Sequence, residues 1–243
     1  VNTMVSVEDL IRGIIVQSGN DACIAIAEGI SGSEALFAEE LNLLAKEIGM
    51  MNSSFTNSTG WPDPDHLTTI QDLLTLTVRT IEDFPDLYYY YAEKEFTYSG
   101  IRQLNRNPLL FNEINADGLK TGHTSLGGYG LVASVLKNNR RLILILNGLK
   151  GNKDRSNESE RLIKVGFNQY KVIDLYDQNQ TITNLQVWGG RKKNVAVYSK
   201  ESVNLTVPNR IKKDLVFTIK HYKPLLAPIE KDQKVADLIV KNK

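Results

Sequence analysis

Apolar residues recur every three or four positions through most of the first eighty residues, which is the spacing of amphipathic helices. The pattern predicts four helices, over 6–17, 21–30, 34–49 and 69–81. Each has a preceding side chain that can accept a backbone hydrogen bond: Ser6, Asn20, Ser33 and Thr68, the last paired with Gln71 in a capping box. Gly49 is the expected C-terminal stop of the third helix.

The pattern changes after Phe96. Residues 96–110 have no regular period and are predicted to be irregular. Residues 128–136 and 141–149 are apolar or alternate, and the polar segment between them predicts a β-hairpin. Residues 156–170 return to helical spacing, with Ile163 and Phe167 expected to face inward. A helical cluster followed by antiparallel strands and a helix predicts an α+β fold.

The last third of the chain reads as a second domain. Short alternating segments at 194–199, 202–207, 214–220 and 234–240 are separated by turn residues, which predicts a small all-β module. We expect the domain boundary between 171 and 172, with a β-sandwich over 172–243.

Composition changes this picture little. The chain has 243 residues, enough for one large domain or a domain with a small companion. Basic and acidic residues nearly balance, 29 against 28, but 190–243 holds thirteen basic and five acidic residues.

The single cysteine, Cys23, allows no intramolecular disulfide and is expected to be a buried, inert thiol. Three scattered histidines show no metal-ligand spacing, so neither a metal nor a cofactor is expected. No phosphate-binding loop or nucleic-acid motif appears.

Two short polar segments could carry chemistry. Ser18-Gly19-Asn20 lies between two predicted helices, where Ser18 and Asn20 could point into one cleft, although the segment taken alone favours a helix cap. Residues 120–124, Lys-Thr-Gly-His-Thr, lead toward the hairpin. Gly122 lacks the Cβ that would block an added strand, but this segment taken alone favours Lys120 as a guard on an exposed sheet edge.

Arg155 is a third candidate, just before the helix predicted at 156–170. A guanidinium at that point could hold a carboxylate through two hydrogen bonds. The alternative is a solvated surface arginine.

The order S-G-N and then K-T-G matches the motifs S-D-N and K-T-G of serine β-lactamases and penicillin-binding proteins. Four segments strengthen the match: LIRGIIVQSGNDACIAIAE, NSTGWPDPDH, FTYSGIRQLNRNPLL and DGLKTGHTSLGGYGLVAS. The chain resembles the low-molecular-mass penicillin-binding proteins, the D-alanyl-D-alanine carboxypeptidase family of serine peptidases. The resemblance runs from Val1 to about Tyr170 and continues more loosely into that family's C-terminal β-domain.

The resemblance implies a β-lactamase-like transpeptidase domain that binds a peptidoglycan stem peptide ending in D-Ala-D-Ala. It also implies removal of the terminal D-alanine through an acyl-enzyme, and covalent inhibition by β-lactam antibiotics. Ser18, Asn20 and Lys120 take the catalytic roles. The implied substrate-binding residues are Thr121, Gly122, His123 and Arg155. The implied location is the periplasm or the outer face of the bacterial inner membrane.

The family's nucleophile is the serine of S-x-x-K, which lies ahead of S-G-N. The only match in this sequence is Ser134-Val135-Leu136-Lys137, on a predicted strand, where positions three apart face opposite ways. We therefore expect an N-terminally truncated chain that is inactive alone. The resemblance also implies a C-terminal amphipathic helix as membrane anchor in many relatives, and two alternatives stay open here: that anchor was also removed, or this member is soluble. The alternatives are a β-lactamase of the same superfamily, or a non-catalytic module that binds the cell wall or a membrane.

Overall fold

The structure is a computed structural model that describes residues 3–210, 215–221 and 224–242. The chain divides into two compact units, Val1–Ile163 and Lys164–Lys243. This structural division falls inside the last helix, a few residues before the boundary expected at 171/172. That boundary stays a prediction.

Helices dominate the first half of the first unit. The helical elements, in chain order, are α1 (Val7–Arg12), a π-helical turn (Gly13–Gln17), α2 (Asn20–Ser31), α3 (Glu34–Glu47), α4 (Ile70–Asp83), two 3₁₀ turns (Tyr88–Ala92 and Pro108–Phe111) and α5 (Asn152–Gln169). The four helices predicted from the periodicity are confirmed, except that the first is an α-helix that ends in a π-helical turn.

Side-chain caps explain where most of these helices begin. Ser6 and Ser33 cap α1 and α3 as predicted, each accepting a backbone hydrogen bond from the residue three positions later. The prediction for α4 was wrong by one residue: Thr69, and not Thr68, accepts from the amide of Asp72, at 3.0 Å. Either threonine could cap a helix. In the structure the helix begins directly after Thr69, and Asp72 in its first turn is buried.

The strands of the first unit form two sheets. They are β1 (Glu95–Tyr98), β2 (Ile101–Leu104), β3 (Ala116–Thr124), β4 (Gly128–Lys137) and β5 (Arg140–Leu149). β1 pairs with β2, and β3, β4 and β5 form an antiparallel sheet in that order. Within this three-stranded sheet β3 is an edge, so one row of its backbone groups has no partner strand there.

The prediction that residues 96–110 are irregular is partly wrong. The hairpin β1–β2 turns through Ser99 and Gly100, both with positive φ, 50° and 78°. Positive φ at both central residues is typical of a two-residue hairpin turn. The Ser99-Gly100 pair was the sequence feature that could have predicted this turn.

The predicted β4–β5 hairpin is confirmed, with Asn138 and Asn139 at φ 51° and 59° in its turn. Leu131, Ala133 and Val135 of β4 are at most 1% exposed, so this strand is the centre of the sheet's apolar core.

The second unit is a small all-β domain after the end of α5, as expected. Its strands are β6 (Tyr170–Tyr176), β7 (Thr181–Trp188), β8 (Asn194–Tyr198), β9 (Val203–Pro208), β10 (Leu215–His221), β11 (Leu225–Leu226) and β12 (Ala236–Asn242). The strand pairs formed by the described residues are β6–β9, β7–β8, β7–β11 and β10–β12, of which β7–β11 is parallel and the other three are antiparallel. The first residue of the strand predicted at 214–220 lies outside the described residues, and the sandwich arrangement stays a prediction.

Over the described parts of the chain, no helix has both the length and the apolar character needed to cross a lipid bilayer.

Candidate active site

A cleft of ≈ 1050 Å³ lies in the first unit, between the helices and the edge strand β3. It brings together every candidate residue named from the sequence: Ser18, Asn20, Lys120, Thr121, Gly122, His123 and Arg155. Residues more than a hundred positions apart in sequence therefore share one surface. No aspartate or glutamate lies among the described residues that line the cleft, so its formal charges are all positive.

Ser18 ends the π-helical turn in a left-handed conformation, with φ 61°. Two backbone bonds close that turn: Ser18 donates to the carbonyl of Ile14 and Gly19 donates to that of Gly13, at 3.1 and 3.0 Å. The serine hydroxyl caps no helix and instead accepts a hydrogen bond from Lys120 Nζ at 2.7 Å. The helix-cap interpretation of Ser18 is therefore wrong.

Asn20 was also a candidate cap, and that interpretation is wrong too. α2 begins at Asn20 itself, with Gly19 in the N-cap position. The first-turn amide of Ala22 donates to Asp21 Oδ1 at 2.9 Å, and Asn20 is not the capping residue. Its exposed side chain lies on the cleft wall.

Lys120 lies on β3, where its side chain turns into the cleft. Its Nζ donates to Ser18 Oγ and to the carbonyl oxygen of Thr121, at 2.7 and 2.9 Å. Burial first, and then the positive charges of Arg106 and Arg155, together lower the pKa of Lys120 from 10.5 to about 8. A solvated guard on a sheet edge would have neither contact, so that alternative is wrong.

Thr121, Gly122 and His123 follow Lys120 along β3. They pair with Leu131, Gly130 and Tyr129 of β4, which leaves the opposite edge of β3 toward the cleft. A Cβ added at Gly122 would meet no atom within 4 Å, so the space beside this residue is open. That opening is what an extended peptide would need to lie along β3.

Arg155 lies inside α5, because the helix begins at Asn152 and not at 156 as predicted. Arg155 is only 5% exposed, so the alternative of a solvated surface arginine is wrong. It shares a buried stripe of α5 with Ser159 and Ile163, each four residues apart. Ile163 is buried as predicted, whereas Phe167 is only partly buried.

Three further residues line the cleft, and the sequence alone did not place them there. Arg106 adds a third cation to the cleft, and its guanidinium donates to Gln17 Oε1 at 3.0 Å. Asn152 lies beside Arg155, and its Oδ1 accepts a hydrogen bond from the guanidinium at 2.7 Å. Cys23 was expected to be buried, and that expectation is wrong in part: the residue is partly exposed on the cleft wall, and burial of the thiol raises its pKa. None of the three belongs to a spaced motif, so only the fold could reveal them.

Residues 58–62 form another wall of the cleft, and Asn57 precedes them. Asn57 Oδ1 accepts hydrogen bonds from the backbone amides of Thr59, Gly60 and Trp61, at 2.8 to 3.2 Å. Glu34 of α3 accepts two further bonds from Ser58. The loop is therefore held in one shape while the Trp61 side chain stays 67% exposed.

Family models match almost the whole chain. The model described as D-alanyl-D-alanine carboxypeptidase matches residues 1–150, and the model of the penicillin-binding protein 5 C-terminal domain matches 170–243. The chain belongs to the D-alanyl-D-alanine carboxypeptidase family. It is 39% identical over 236 residues to D-alanyl-D-alanine carboxypeptidase DacC of Escherichia coli, covering 96% of this chain and 59% of that protein. The Haemophilus influenzae carboxypeptidase DacA is 38% identical, covering 98% of this chain and 62% of the relative. The chain thus spans about three-fifths of the length of these curated relatives.

Solved structures agree with this membership. Penicillin-binding protein 5 of Haemophilus influenzae superposes with a TM-score of 0.91 at 37% identity, covering all of this chain and 71% of that one. Penicillin-binding protein D2 of Listeria monocytogenes in its ampicillin-bound form superposes with a TM-score of 0.62 at 29% identity, covering 67% and 68%. The α+β fold and the all-β second domain are confirmed by these neighbours.

The S-x-x-K match at 134–137 is not a catalytic pair. Both residues lie on β4, with Ser134 fully buried and Lys137 exposed. The Ser134 hydroxyl accepts a hydrogen bond from Arg141 on the neighbouring strand β5. In the ranges 3–210, 215–221 and 224–242, no group of three potential metal ligands comes together.

Proposed function

We propose that this chain supplies two of the three catalytic motifs of a serine D-alanyl-D-alanine carboxypeptidase. The reaction removes the terminal D-alanine of a peptidoglycan stem peptide. The observation that carries the proposal is the 2.7 Å contact between Lys120 Nζ and Ser18 Oγ, in a cleft lined by cations. Family membership supports the same reaction, because both curated relatives named above are D-alanyl-D-alanine carboxypeptidases.

The proposed mechanism is acyl transfer to a serine. That serine attacks the carbonyl between the two D-alanines, the terminal D-alanine leaves as an amine, and water then hydrolyses the ester. Ser18 lies where its hydroxyl can relay a proton toward the departing amine, since Lys120 holds the hydroxyl in place. Lys120 adds positive potential, which favours the neutral form of a neighbouring lysine base and attracts an anionic peptide.

Substrate binding falls to β3 and the residues around it. The peptide would lie along the free edge of β3 as an added strand, passing the open space at Gly122. The carboxamide of Asn20 would donate to a peptide carbonyl, and the backbone amide at His123 would stabilise the oxyanion. Thr121, Arg106 and Arg155 would bind the terminal carboxylate, because they are the hydroxyl and the guanidinium groups that line this part of the cleft.

The nucleophile is assigned to an S-x-x-K segment that residues 1–243 do not contain, since the single match lies on β4. We therefore propose that the 243-residue chain alone neither hydrolyses a D-Ala-D-Ala peptide nor retains covalent penicillin. A stable penicilloyl adduct on this chain would contradict the assignment.

A carboxypeptidase is favoured over a β-lactamase by the chemistry of the cleft. Rapid deacylation by a class A β-lactamase uses a glutamate that activates water, and the described lining residues include neither aspartate nor glutamate. A β-lactam would then remain bound as a slow acyl-enzyme. The ampicillin-bound structure of the Listeria monocytogenes relative is consistent with such inhibition. The substrate places the reaction outside the bacterial inner membrane, where peptidoglycan lies.

The test is labelling by fluorescent penicillin in a form of the protein that also carries the S-x-x-K segment. Lys120→Ala should slow acylation by about 10²–10³-fold, the range seen when one preorganised electrostatic group is removed from an active site. Lys137→Ala, at the exposed end of β4, serves as the matched control. Labelling of Lys120→Ala at the unmodified rate would refute the role of Lys120.

A further inference from the structure

Arg155 is a buried cation whose partners are all uncharged. Its guanidinium donates to the carbonyl oxygens of Gly130 and Arg106, at 3.4 and 3.3 Å, and to Asn152 Oδ1 at 2.7 Å. Its Nε is buried without an acceptor. Among the residues that the structure describes, no carboxylate pairs with Arg155. Buried charges are ordinarily paired with an opposite charge, so this environment needs an explanation.

Tyr129 takes the place that a carboxylate would ordinarily have. The guanidinium carbon of Arg155 lies 5.6 Å from the centroid of the Tyr129 ring, within the range of a cation–π contact. An aromatic ring attracts the guanidinium through its quadrupole and carries no net charge. The positive charge of Arg155 is therefore stabilised without being cancelled.

The same ring also contacts His123. The Tyr129 and His123 centroids are 4.0 Å apart, with the ring planes inclined by 37°. The two residues are direct cross-strand partners on β4 and β3, so the sheet register fixes their contact. Tyr129 thus connects a cation on α5 with the edge strand along which the proposed substrate would lie.

We propose that Tyr129 is a positioning residue that replaces a carboxylate at Arg155 and holds His123 on β3, so that the cleft selects peptides with a free terminal carboxylate. This inference rests on the proposed function only in taking the bound carboxylate to be that of the substrate. A carboxylate at this position would neutralise Arg155 by pairing with it, and an aliphatic side chain would leave the guanidinium without its ring. An aromatic ring, like the neutral oxygens that accept from Arg155, stabilises the guanidinium and leaves its charge for the ligand.

The test compares two substrates in the form of the protein that carries the S-x-x-K segment. One is an acylated peptide ending in D-Ala-D-Ala, and the other is the same peptide with a C-terminal amide. Tyr129→Phe keeps the ring and should keep the preference for the free carboxylate. Tyr129→Leu should reduce that preference by about tenfold, mainly through KM, because the loss acts on binding.

A second variant tests the charge without removing the ring. Asn152→Asp keeps the size of the side chain and places a carboxylate 2.7 Å from the guanidinium. It should reduce the carboxylate preference to a similar extent, because Arg155 would then be paired internally. If both Tyr129→Leu and Asn152→Asp keep the full preference, the inference is wrong even if Tyr129→Leu also proves less stable.

A spectroscopic readout separates this inference from the proposed function. In histidine-labelled protein, ring protons of His123 should show a ring-current shift from Tyr129 that Tyr129→Phe keeps and Tyr129→Leu removes. Loss of signal in His123→Gln identifies the resonance. Failure of the parent protein to release D-alanine would refute the proposed function. The His123 shift would still show whether Tyr129 contacts His123. Normal D-alanine release with an unchanged His123 shift in Tyr129→Leu would overturn this inference alone.

Discussion

Replacing Lys120 with methionine should make the folded protein more stable at neutral pH. Methionine has a similar length and no charge, so Lys120→Met removes the penalty of holding an ammonium group in a largely buried position. The fall in the pKa of Lys120 from 10.5 to about 8 corresponds to about 3 kcal/mol, at about 1.4 kcal/mol per pH unit. This is a large fraction of the stability of an ordinary domain.

The sign of the pH dependence follows from the lowered pKa. Below pH 8 the lysine is protonated in both the folded and the unfolded state, so the whole penalty is present. Between pH 8 and 10.5 the unfolded state holds the proton more tightly, so the folded state gains stability as the pH rises. The stability advantage of Lys120→Met over the parent should therefore shrink by about 3 kcal/mol between pH 7 and pH 10.5.

Urea unfolding of the parent and the variant across this pH range measures the effect directly. Lys137→Met, at an exposed lysine of β4, controls for the general loss of one positive charge. A stability difference between Lys120→Met and the parent that stays constant from pH 7 to 10.5 would refute the reasoning. In that case Lys120 would carry no penalty for its charge.

Two further predictions follow from the same region. Arg106→Gln removes a cation that lowers the pKa of Lys120. In this background the stability advantage of Lys120→Met should begin to shrink at a higher pH. An unchanged pH range would exclude an effect of Arg106 on Lys120. Gly118→Ala should destabilise the protein by about 1–3 kcal/mol, because its Cβ would lie 2.6 Å from Tyr88 Oη. Gly122→Ala, with open space around its Cβ, should change stability by less than about 0.5 kcal/mol, and equal urea midpoints for the two glycine variants would contradict this account.

The sequence predicted the candidate site better than it predicted the side-chain environments. The spacing of S-G-N and K-T-G, read through the family resemblance, placed Ser18 and Lys120 in one cleft. The individual patterns favoured a cap at Ser18 and an edge guard at Lys120, and left a surface position open for Arg155. Those residue types are mostly found in such roles, and only tertiary contacts across a hundred positions reverse the expectation.

Local patterns predicted the long helices and the β4–β5 hairpin because each has a strong period and clear turn residues. They failed where a choice depends on neighbours in space. Thr68 and Thr69 are equivalent caps in sequence, and the burial of Asp72 decides between them. The start of α5 at Asn152 was hidden by polar residues, although the Asn152 side chain accepts a hydrogen bond from Arg155 in the fold.

The contact between Ser18 and Lys120 is the central claim, and D-alanine release tests it most directly. The measurement uses an acylated D-Ala-D-Ala peptide and a form of the protein that carries the S-x-x-K segment. Ser18→Gly removes the hydroxyl while accepting the φ of 61°, so the turn should survive. We expect the parent to release D-alanine and Ser18→Gly to do so about 10²–10⁴-fold more slowly. Release by Ser18→Gly at the parent rate would contradict the account.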